Sequence, residues 1–305
     1  MYMELDYPKN LFELESRFAT NEACQEYLAK LRWPNGFVCP KCGAHSMWNM
    51  KSGRILCSKC RHQQYLLQGT VFQDSHIPLI TWFRAIWYIC SQKNGASALG
   101  LQRVLGLGSY RTAWLMLHKL RRAMVRPRRD GLSGVIEVDE TYIGGVHEGK
   151  RGRGADGKSI VMVAAECDGK GTGRIRLLRI NGVDSLTLTS AVSELVFPGA
   201  KILTDEWGGY NSLSKNGYIH EIHEVSGEIL PRCHRAISLL KRWILGTLQG
   251  SIAPEHLQDY LNEFTFRYNR RKSKSRGLLF YRLLQYAVET APVTYDEIKI
   301  AQPVG

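Results

Sequence analysis

Two closely spaced cysteine pairs constrain the fold of this chain more than any other feature of its sequence. Cys39 and Cys42 form one CxxC turn, Cys57 and Cys60 form a second, and residues 43 to 56 separate them. Zinc takes four tetrahedral ligands, and two such turns supply four thiolates that close its coordination shell. The pattern therefore predicts a small ribbon with a structural Zn²⁺ that it needs in order to fold. A redox pair or unbound thiols are the alternative.

The composition indicates a folded, basic chain. Its 305 residues include 41 Lys and Arg against 28 Asp and Glu, which gives a formal net charge of +13, and 44% of them are hydrophobic. That apolar fraction is sufficient for packed cores. The charge excess favours nucleic acid or an anionic surface as partner, although a generic basic enzyme has the same signature.

Nothing in the sequence predicts secretion or membrane insertion. The N-terminus MYMELDYPKN lacks the basic and apolar regions of a signal peptide, and the apolar stretches are too short for a membrane-spanning helix. A reducing cytoplasm fits the cysteine usage, because the residues outside the two pairs are scattered in apolar contexts. These are Cys24, Cys90, Cys167 and Cys233.

Changes of hydrophobic period divide the chain into five predicted segments. An N-terminal helical stretch ends at Trp33-Pro34-Asn35-Gly36, the ribbon follows, and a helical connector leads to the Pro/Gly-rich segment PRRDGLSG. The predicted segments are 1–35 (helical), 36–66 (zinc ribbon), 67–130 (helical connector), 131–290 (a larger domain) and 291–305 (tail).

The connector contains the outline of a helix-turn-helix. SALGLQRVLGL and SYRTAWLMLHKLRRAM each have an apolar face, and Gly108 lies in the short turn between them. In the DNA-binding interpretation, Arg111 lies at the exposed start of the second helix, in a groove of the duplex. An ordinary helical hairpin explains the segment equally well.

The segment from residue 131 changes to β-type periodicity. VIEVDETYIGG, SIVMVAAECDG and GRIRLLRING predict three strands, SLTLTSAVSELV a helix, KILTDEW and GYIHEIHEV two further strands, and two long helices follow. This order predicts an α/β fold with an RNase-H-like mixed sheet flanked by helices.

Two carboxylates interrupt apolar strands of this domain. Asp139 lies within VIEVDETYIGG, on the strand face that also carries Glu137 and Thr141, and Asp205 ends KILTD. A carboxylate in such a place is costly unless it pairs or binds a cation. Two acids on neighbouring strands favour divalent metal, the arrangement used for in-line phosphoryl transfer. A turn cap or an ion pair with Arg is the alternative for each.

The motifs RWPNGFVCPKCG, VDETYIGG, TDEWGGY, HRAISLLKRWILGT and YLNEFTFRYNRR, in this order, resemble those of bacterial insertion-sequence transposases. The likeness is to the ISXO2-like, Merlin-related, DDE-type family with an N-terminal zinc ribbon, and it spans roughly residues 10–285. It implies an RNase-H-like domain that needs Mg²⁺ or Mn²⁺ and cleaves transposon ends. Asp139 then corresponds to the first acid of the triad and Asp205 to the second.

The third position departs from a strict DDE pattern. In the family it lies seven residues before a helical Lys, which here is Lys241, so the corresponding residue is His234. Seven residues are nearly two helical turns, so His234 and Lys241 share a face. An imidazole favours Mn²⁺ more than a carboxylate does. The alternatives for the third ligand are Glu263, Glu224 and Glu228.

Two basic runs without acids flank the catalytic segment and predict phosphate contacts. One is HKLRRAMVRPRR, in which Lys119 and Arg121 are the first two cations. The other is RYNRRKSKSR. Contacts of cations with phosphate are salt-sensitive and independent of sequence. The residues predicted to bind DNA are Lys241, Arg111, Arg126, Arg128, Arg129, Arg270, Arg271 and Lys272.

These observations lead to one functional hypothesis and two alternatives. The hypothesis is a cytoplasmic, nucleoid-associated bacterial transposase that binds double-stranded DNA, acts as a homo-oligomer, and cuts and joins strands by two-metal phosphoryl transfer. A DNA-binding regulator without catalysis is the first alternative. An RNase-H-like nuclease that cuts without joining is the second.

Overall fold

The structure, a computed structural model, describes residues 5–50, 54–126, 129–144, 158–223, 229–250 and 252–299. Its elements in chain order are α1 (Leu11–Arg17), α2 (Asn21–Arg32), β1 (Met47–Asn49), β2 (Arg54–Cys57), β3 (Gln63–Tyr65), α3 (Leu79–Ser91), α4 (Ala98–Leu105), α5 (Tyr110–Ala123), β4 (Val135–Ile143), β5 (Ser159–Asp168), β6 (Gly171–Ile180), α6 (Ser185–Leu195), β7 (Lys201–Thr204), β8 (Ile219–Ile222), α7 (Pro231–Leu248), α8 (Leu257–Asn269), α9 (Arg276–Glu289) and α10 (Tyr295–Lys299). They fall into two compact units. The described residues up to 126 and 273–298 form the first, and those from 129 to 272 form the second.

The first unit begins with two helices in place of one continuous helical stretch. The Thr20 side chain accepts a hydrogen bond from the Ala23 N–H, so it starts a new helix at α2. Leu14 is buried as its helical spacing predicts, whereas Leu11 is 51% exposed. Because α2 starts a new 3.6-residue repeat, its apolar face does not continue that of α1.

An aromatic core joins α9 to the other helices of the first unit. The Phe280 ring lies 5.6 Å from that of Phe83 and 5.8 Å from that of Trp87, measured between centroids. Gly277 permits this packing, because a Cβ there would collide with the Pro8 carbonyl oxygen. The sequence interpretation places 276–289 in the catalytic segment 131–290. An apolar helix face does not specify which core it joins, and here the helix packs in the first unit.

The ribbon contributes a small antiparallel sheet in the order β1-β2-β3. Trp48 of β1 pairs with Leu56 of β2, and Leu56 pairs with Gln63 of β3. These three residues therefore lie in line across the sheet. One face of the sheet packs into a small core in which Phe37, Ile55 and two of the cysteines are buried. The predicted zinc-ribbon fold is therefore present.

Five strands of the described chain form a mixed sheet in the second unit, in the order β6-β5-β4-β7-β8. The central strand β4 is antiparallel to β5 and parallel to β7. The parallel pairing follows from the crossover through α6, because parallel neighbours cannot be joined by a hairpin. Both the predicted element order and the predicted RNase-H-like mixed sheet are confirmed.

Helices cover both faces of this sheet. An apolar cluster that includes Val138 and Leu188 lies on the face covered by α6. A second cluster, which includes Val163 and Leu240, lies on the face covered by α7 and α8. The alternation of β4 therefore sends one set of side chains toward α6 and the other toward α7 and α8.

Candidate active site and metal centres

The first acid, Asp139, lies in the middle of β4, on the side of the sheet that α7 covers. It stands opposite Val163 of β5, a member of the apolar cluster beneath α7 and α8. Its side chain is 15% exposed, and its Oδ1 accepts a 2.8 Å hydrogen bond from the Glu140 N–H. The carboxylate therefore lies at the border between core and solvent, with Oδ2 on the side of α7.

The second acid, Asp205, follows β7 directly. The parallel ladder pairs Glu137 with Leu203, and two residues further along the same register are Asp139 and Asp205. The Asp205 Oδ1 accepts a hydrogen bond from the Trp207 N–H at 3.0 Å. The sheet therefore brings together two acids that are distant in sequence, because β4 and β7 are neighbouring parallel strands.

The segment that follows Asp205 is fixed by close packing. The Trp207 Nε1–H donates to the Val183 carbonyl at 2.9 Å. Gly209 has no room for a side chain, because a Cβ there would lie 2.6 Å from Trp207 Nε1 and 2.8 Å from Leu188 Cδ1. These contacts explain Trp207 and Gly209, whereas a Cβ at Gly208 would make only an ordinary van der Waals contact.

A buried hydrogen bond ties this segment to β4. The Tyr210 hydroxyl donates to Glu140 Oε2 at 2.6 Å, and both residues are buried. Burial, together with the nearby Glu140 carboxylate, holds the pKa of Tyr210 well above its usual value, so the hydroxyl stays protonated as the donor. Glu140 is adjacent to Asp139, but its side chain points to the opposite face of the sheet, which α6 covers. The hydrogen bond therefore links β4, which carries Asp139, to the segment that follows Asp205.

The third predicted residue, His234, lies in the first turn of α7. Its Nε2 is 3.5 Å from Asp139 Oδ2, and its side chain is 46% exposed. The structure thus places the imidazole beside the first acid while leaving it open to solvent. A side chain in this position is able to serve as a ligand or to contact DNA.

The start of α7 is held by a buried carboxylate, that of Glu137. Glu137 Oε2 accepts hydrogen bonds from the backbone N–H groups of Arg232 at 2.7 Å and Cys233 at 3.0 Å. Its Oε1 accepts from the Arg232 guanidinium at 2.7 Å, and the Glu137 side chain is 1% exposed. Glu137 thus supplies the cap for a helix whose N-cap residue, Leu230, makes no side-chain hydrogen bond.

The neighbours of Asp139 make its ionised form unfavourable. Burial first, and then the Glu140 carboxylate, raise the pKa of Asp139 to about 6, and Asp205 adds to the rise while His234 opposes it. A bound cation would offset this cost. Two carboxylates and an imidazole are also a donor set that Mg²⁺ or Mn²⁺ accepts. These residues therefore fit a divalent metal.

Glu263, one of the glutamates considered for the third ligand, occupies a different environment. Its side chain is 1% exposed and forms an ion pair with Arg267 at 2.8 Å, one turn along α8. A carboxylate that is buried and already neutralised by a guanidinium has less need of a metal. Glu224 and Glu228, which the sequence also allows in that role, lie outside the described residues.

The four predicted zinc ligands come together in the ribbon. Cys39 Sγ lies 3.6 Å from Cys60 Sγ, and Cys42 Sγ lies 3.6 Å from Cys57 Sγ. All four sulfurs lie within 4.8 Å of one another. Ligands at about 2.3 Å from a tetrahedral zinc have sulfurs about 3.8 Å apart, so the cluster fits a structural zinc ion.

The two cysteine turns have matching backbones. Gly43 follows the first pair with φ +69°, and Arg61 follows the second with φ +62°. Backbone N–H groups of Cys60 and Lys59 lower the pKa of Cys57 to about 6, whereas hydrogen bonds with the neighbouring cysteines, Cys60 first, raise that of Cys42 to about 12. Within the described residues, no other group of His, Cys, Asp or Glu is this compact.

Comparison with protein families decides what these two centres belong to. Residues 131–269 match the family model of the ISXO2-like transposase domain, and residues 19–63 match the transposase zinc-ribbon domain. This chain therefore contains an ISXO2-like transposase domain and a transposase zinc-ribbon domain. The first match contains both acids and His234. The second match contains β1, β2 and the start of β3, and it also includes α2, which lies upstream of the predicted ribbon boundary at residue 36.

Relatives of this chain are distant. A protein of Halobacterium salinarum, described as an uncharacterized protein in transposable element ISH50, is 26% identical over 277 residues, which is 82% of this chain and 91% of the relative. Crystal structures of the Mos1 strand transfer complex and of a pre-cleavage Mos1 transpososome are each 12% identical and cover 68% of this chain and 75% of theirs, with TM-scores of 0.29 and 0.26. Likeness at such TM-scores carries no further argument.

The residues that were predicted to bind DNA fall into two groups. Lys241, Arg126 and Lys272 are exposed, and Lys272 lies 3.7 Å from Asp168. Arg111 is also exposed, with its guanidinium 3.7 Å from the centre of the Tyr295 ring. These four cations are accessible to a phosphate.

Of the other predicted cations, Arg129 and Arg270 are half-buried and Arg271 is exposed, and each contacts a group of the protein. Arg129 lies 3.7 Å from Glu194, Arg270 donates to the Phe266 carbonyl at 3.2 Å, and Arg271 donates to the Tyr268 carbonyl at 2.9 Å. Arg128 lies outside the described residues.

Part of the first basic run faces inward. Lys119 and Arg121 are 6% and 2% exposed. Lys119 donates to the Gln73 carbonyl at 3.3 Å and Arg121 to the Ala96 carbonyl at 3.1 Å. These two cations of the run are therefore not available to a phosphate, because α5 buries one side of itself in the first unit. No described helix is both long and apolar enough to cross a membrane.

Sequence reasoning missed the residues that support the acids. Glu137 was placed on the face of Asp139 but given no role, and Arg232, two residues before His234, was not considered. The sequence contained a weak signal of the role of Glu137. It lies two residues before Asp139 on the same strand face, and an acid buried there needs a partner. The link between Tyr210 and Glu140 had no signal in the sequence.

Proposed function

We propose that this chain is a transposase that binds the ends of its own DNA element and cuts and joins DNA strands at a divalent-metal site formed by Asp139, Asp205 and His234. The observation that carries the assignment is the position of His234, 3.5 Å from Asp139, while Glu263 is committed to Arg267. The order of elements and the family match support the same assignment.

The chemistry needs no covalent link to the protein. When bound, Mg²⁺ or Mn²⁺ lowers the pKa of a water and neutralises charge on the scissile phosphate. In cleavage, a water oxygen bonds to phosphorus, the bond to the 3′ oxygen breaks, and the water proton leaves to solvent while the 3′ oxygen gains one. In joining, that 3′-hydroxyl attacks a target phosphate and displaces another 3′ oxygen.

The side chains of the protein orient this reaction. Asp139 and Asp205 supply oxygen ligands from a rigid sheet, and His234 supplies a nitrogen ligand from α7. Lys241 lies two turns further along the same helix and is exposed, which suits a contact with phosphate next to the scissile bond. Arg235 and Arg242 extend this exposed basic surface along α7.

Double-stranded DNA of the element end is the proposed substrate, with one copy of the chain for each of two ends. Phosphate contacts made by exposed cations predict binding that weakens steeply with salt. Titration of a labelled duplex at several salt concentrations tests this, and binding that ignores salt contradicts it. Light scattering of the protein–DNA complex measures the number of copies.

The decisive experiment maps cleavage and joining products. Duplexes that carry the inverted repeats flanking the gene are incubated with Mg²⁺ or Mn²⁺ and the wild type, His234→Ala, His234→Glu or Glu263→Gln. We expect His234→Ala to lose cleavage, and both His234→Glu and Glu263→Gln to retain it. Ser238→Ala, one turn along the exposed face of α7, is the matched control. Full activity of His234→Ala refutes its assignment as a ligand.

The same products distinguish a transposase from a nuclease and from a regulator. Cleavage without joining of a pre-cut end to target DNA identifies a nuclease. Binding without cleavage in either metal identifies a regulator. Loss of activity in Glu263→Gln, with the folded state intact, moves the third ligand to α8.

A further inference from the structure

The zinc ribbon presents a sheet face that the catalytic proposal does not use. Side chains of Trp48, Leu56 and Gln63 lie in line across the three strands, and Arg54 pairs with Tyr65 at the next position on the same face. We call these five residues the ribbon face. The opposite side of the sheet packs into the ribbon core.

Two large aromatic rings on the ribbon face are open to solvent. Trp48 is 49% exposed and Tyr65 is 47% exposed. A soluble domain gains little stability from rings in this position, because they remain in water. Exposed aromatic side chains on a sheet are, however, the groups on which proteins stack unpaired bases.

Each ring carries a guanidinium. The Arg61 guanidinium lies 4.6 Å from the centre of the Trp48 ring. That of Arg54 lies 5.6 Å from the centre of the Tyr65 ring, and its Nε–H donates to the Tyr65 hydroxyl at 2.8 Å. These cations place a positive charge that can contact a phosphate beside each ring.

Apart from the zinc-binding thiolates, the charged side chains of the ribbon are all positive. Residues 36–66 contain five Lys and Arg, at positions 41, 51, 54, 59 and 61, and no Asp or Glu. A protein partner of ordinary composition would present both signs of charge, whereas a polyanion matches this surface throughout. Charge complementarity therefore selects nucleic acid.

The geometry favours single strands over a duplex. Trp48 and Gln63 both pair with Leu56, on either side of β2, and Tyr65 is two residues beyond Gln63. Strand spacings therefore put the two aromatic residues about 12 Å apart. Bases stacked inside a duplex are covered by their neighbours at about 3.4 Å and cannot stack on a protein ring. Unpaired bases of a strand laid across the face are able to reach both rings.

A cleft beside Tyr65 supplies polar groups for base edges. It has a volume of about 750 Å³, and Arg54, Gln63, Gln64 and Gln68 are among the residues that line it together with Tyr65. Amide side chains donate and accept hydrogen bonds, which is what exposed base edges require. Asp74, which lies outside the acid-free segment 36–66, also lines the cleft.

We propose that the ribbon face binds single-stranded DNA by stacking bases on Trp48 and Tyr65, with Arg54 and Arg61 against the flanking phosphates. The choice of DNA over RNA rests on the proposed function, whereas the stacking of bases on the two rings does not depend on it. In the transposition reaction this face would hold strands that open at or beside the cut.

The test measures binding of the full-length zinc-loaded protein, without divalent metal, to a single-stranded oligonucleotide of about 12 nucleotides. An abasic oligomer of the same length and phosphate number, and a duplex, are compared with it. We expect Trp48→Ala to lose about tenfold in affinity for the base-bearing strand, with the abasic and duplex affinities unchanged. Trp48→Phe keeps the affinity within about twofold.

Two further variants complete the design. Phe12→Ala removes another exposed ring of the first unit, which is 87% exposed, and is expected to change nothing. Tyr65→Leu repeats the test at the second ring should Trp48→Ala lose zinc.

The outcomes are separable from those of the catalytic proposal. Unchanged single-strand binding by both ring variants overturns the inference, and so does an equal loss for base-bearing and abasic strands. An RNA strand bound far more tightly than DNA overturns the choice of DNA. Cleavage without any ring effect refutes only the ribbon face, and a ring effect without cleavage refutes only the catalytic proposal.

Discussion

The zinc-ribbon cysteine cluster and the proposed acid site of this chain are built in opposite ways. All four cysteines lie within 22 residues, 39 to 60, and their sulfurs lie within 4.8 Å of one another. The acid site takes its residues from β4, from the end of β7 and from α7, and it is more open. The geometry of the cysteine site is specified by two turns that are close in sequence, and the site loses its structure when the metal is removed. The geometry of the acid site depends on how β4, β7 and α7 pack together.

The largest effect is expected from breaking the local site. Cys57→Ser should abolish zinc binding and unfold the ribbon, because structural zinc contributes about 10–16 kcal/mol in small ribbons. Zinc content by mass spectrometry and the far-UV spectrum measure this. Ser58→Ala, the adjacent residue in the same turn, should leave both unchanged. A folded ribbon in Cys57→Ser without zinc contradicts the comparison.

The second prediction removes charge from the assembled site. Asp139→Asn should lower cleavage at least about a thousandfold. The same change should raise the metal-free Tm by about 2–5 °C, because it removes a buried charge that lies beside other carboxylates. Cleavage assays and thermal unfolding in a chelator test both parts.

The matched control for this charge change is Asp184→Asn at the start of α6. Asp184 caps that helix, and Asn caps equally well, so stability should change by less than about 0.5 kcal/mol. Cleavage should be unaffected. A fall in Tm for Asp139→Asn would show that its carboxylate stabilises the fold.

The third prediction tests the support for His234. Glu137→Gln retains an acceptor for the α7 N–H groups but loses the ion pair with Arg232, so we expect cleavage and Mn²⁺ affinity to fall about 10- to 100-fold. Glu166→Gln breaks a comparable pair with Arg174, 2.6 Å long, and should spare cleavage. In a His234→Ala background, Glu137→Gln should have little further effect on Mn²⁺ affinity. Additive losses would mean that Glu137 acts elsewhere.

The smallest effect is expected from the hydrogen bond behind the acids. Tyr210→Phe leaves Glu140 buried without its donor, at a cost of about 1–3 kcal/mol in the free energy of unfolding. Cleavage should fall by about two- to tenfold, because the Asp205 segment loses one of its ties to β4. Denaturant unfolding and single-turnover assays measure the two effects. An unchanged Cm would show that water replaces the hydroxyl.

Much of the fold was predictable from local pattern. The CxxC spacing predicted the ribbon, and the change from helical to alternating periodicity predicted the order of strands and helices around Asp139 and Asp205. The placement of α9 was not predictable, because its apolar face fits either core. The inward direction of Lys119 and Arg121 was also missed, since charged residues are usually exposed and their carbonyl partners are far away in sequence.

The sequence by itself determined the local chemistry of this chain: the four thiolates, the two acids on apolar strands, and the seven-residue spacing of His234 and Lys241 on one helix. Only the tertiary structure decided which groups meet. It set His234 against Asp139, committed Glu263 to Arg267, and gave Glu137 to the start of α7. The physical reason is distance along the chain: turns and helices fix neighbours within a few residues, but contacts across about a hundred residues depend on how sheets and helices pack.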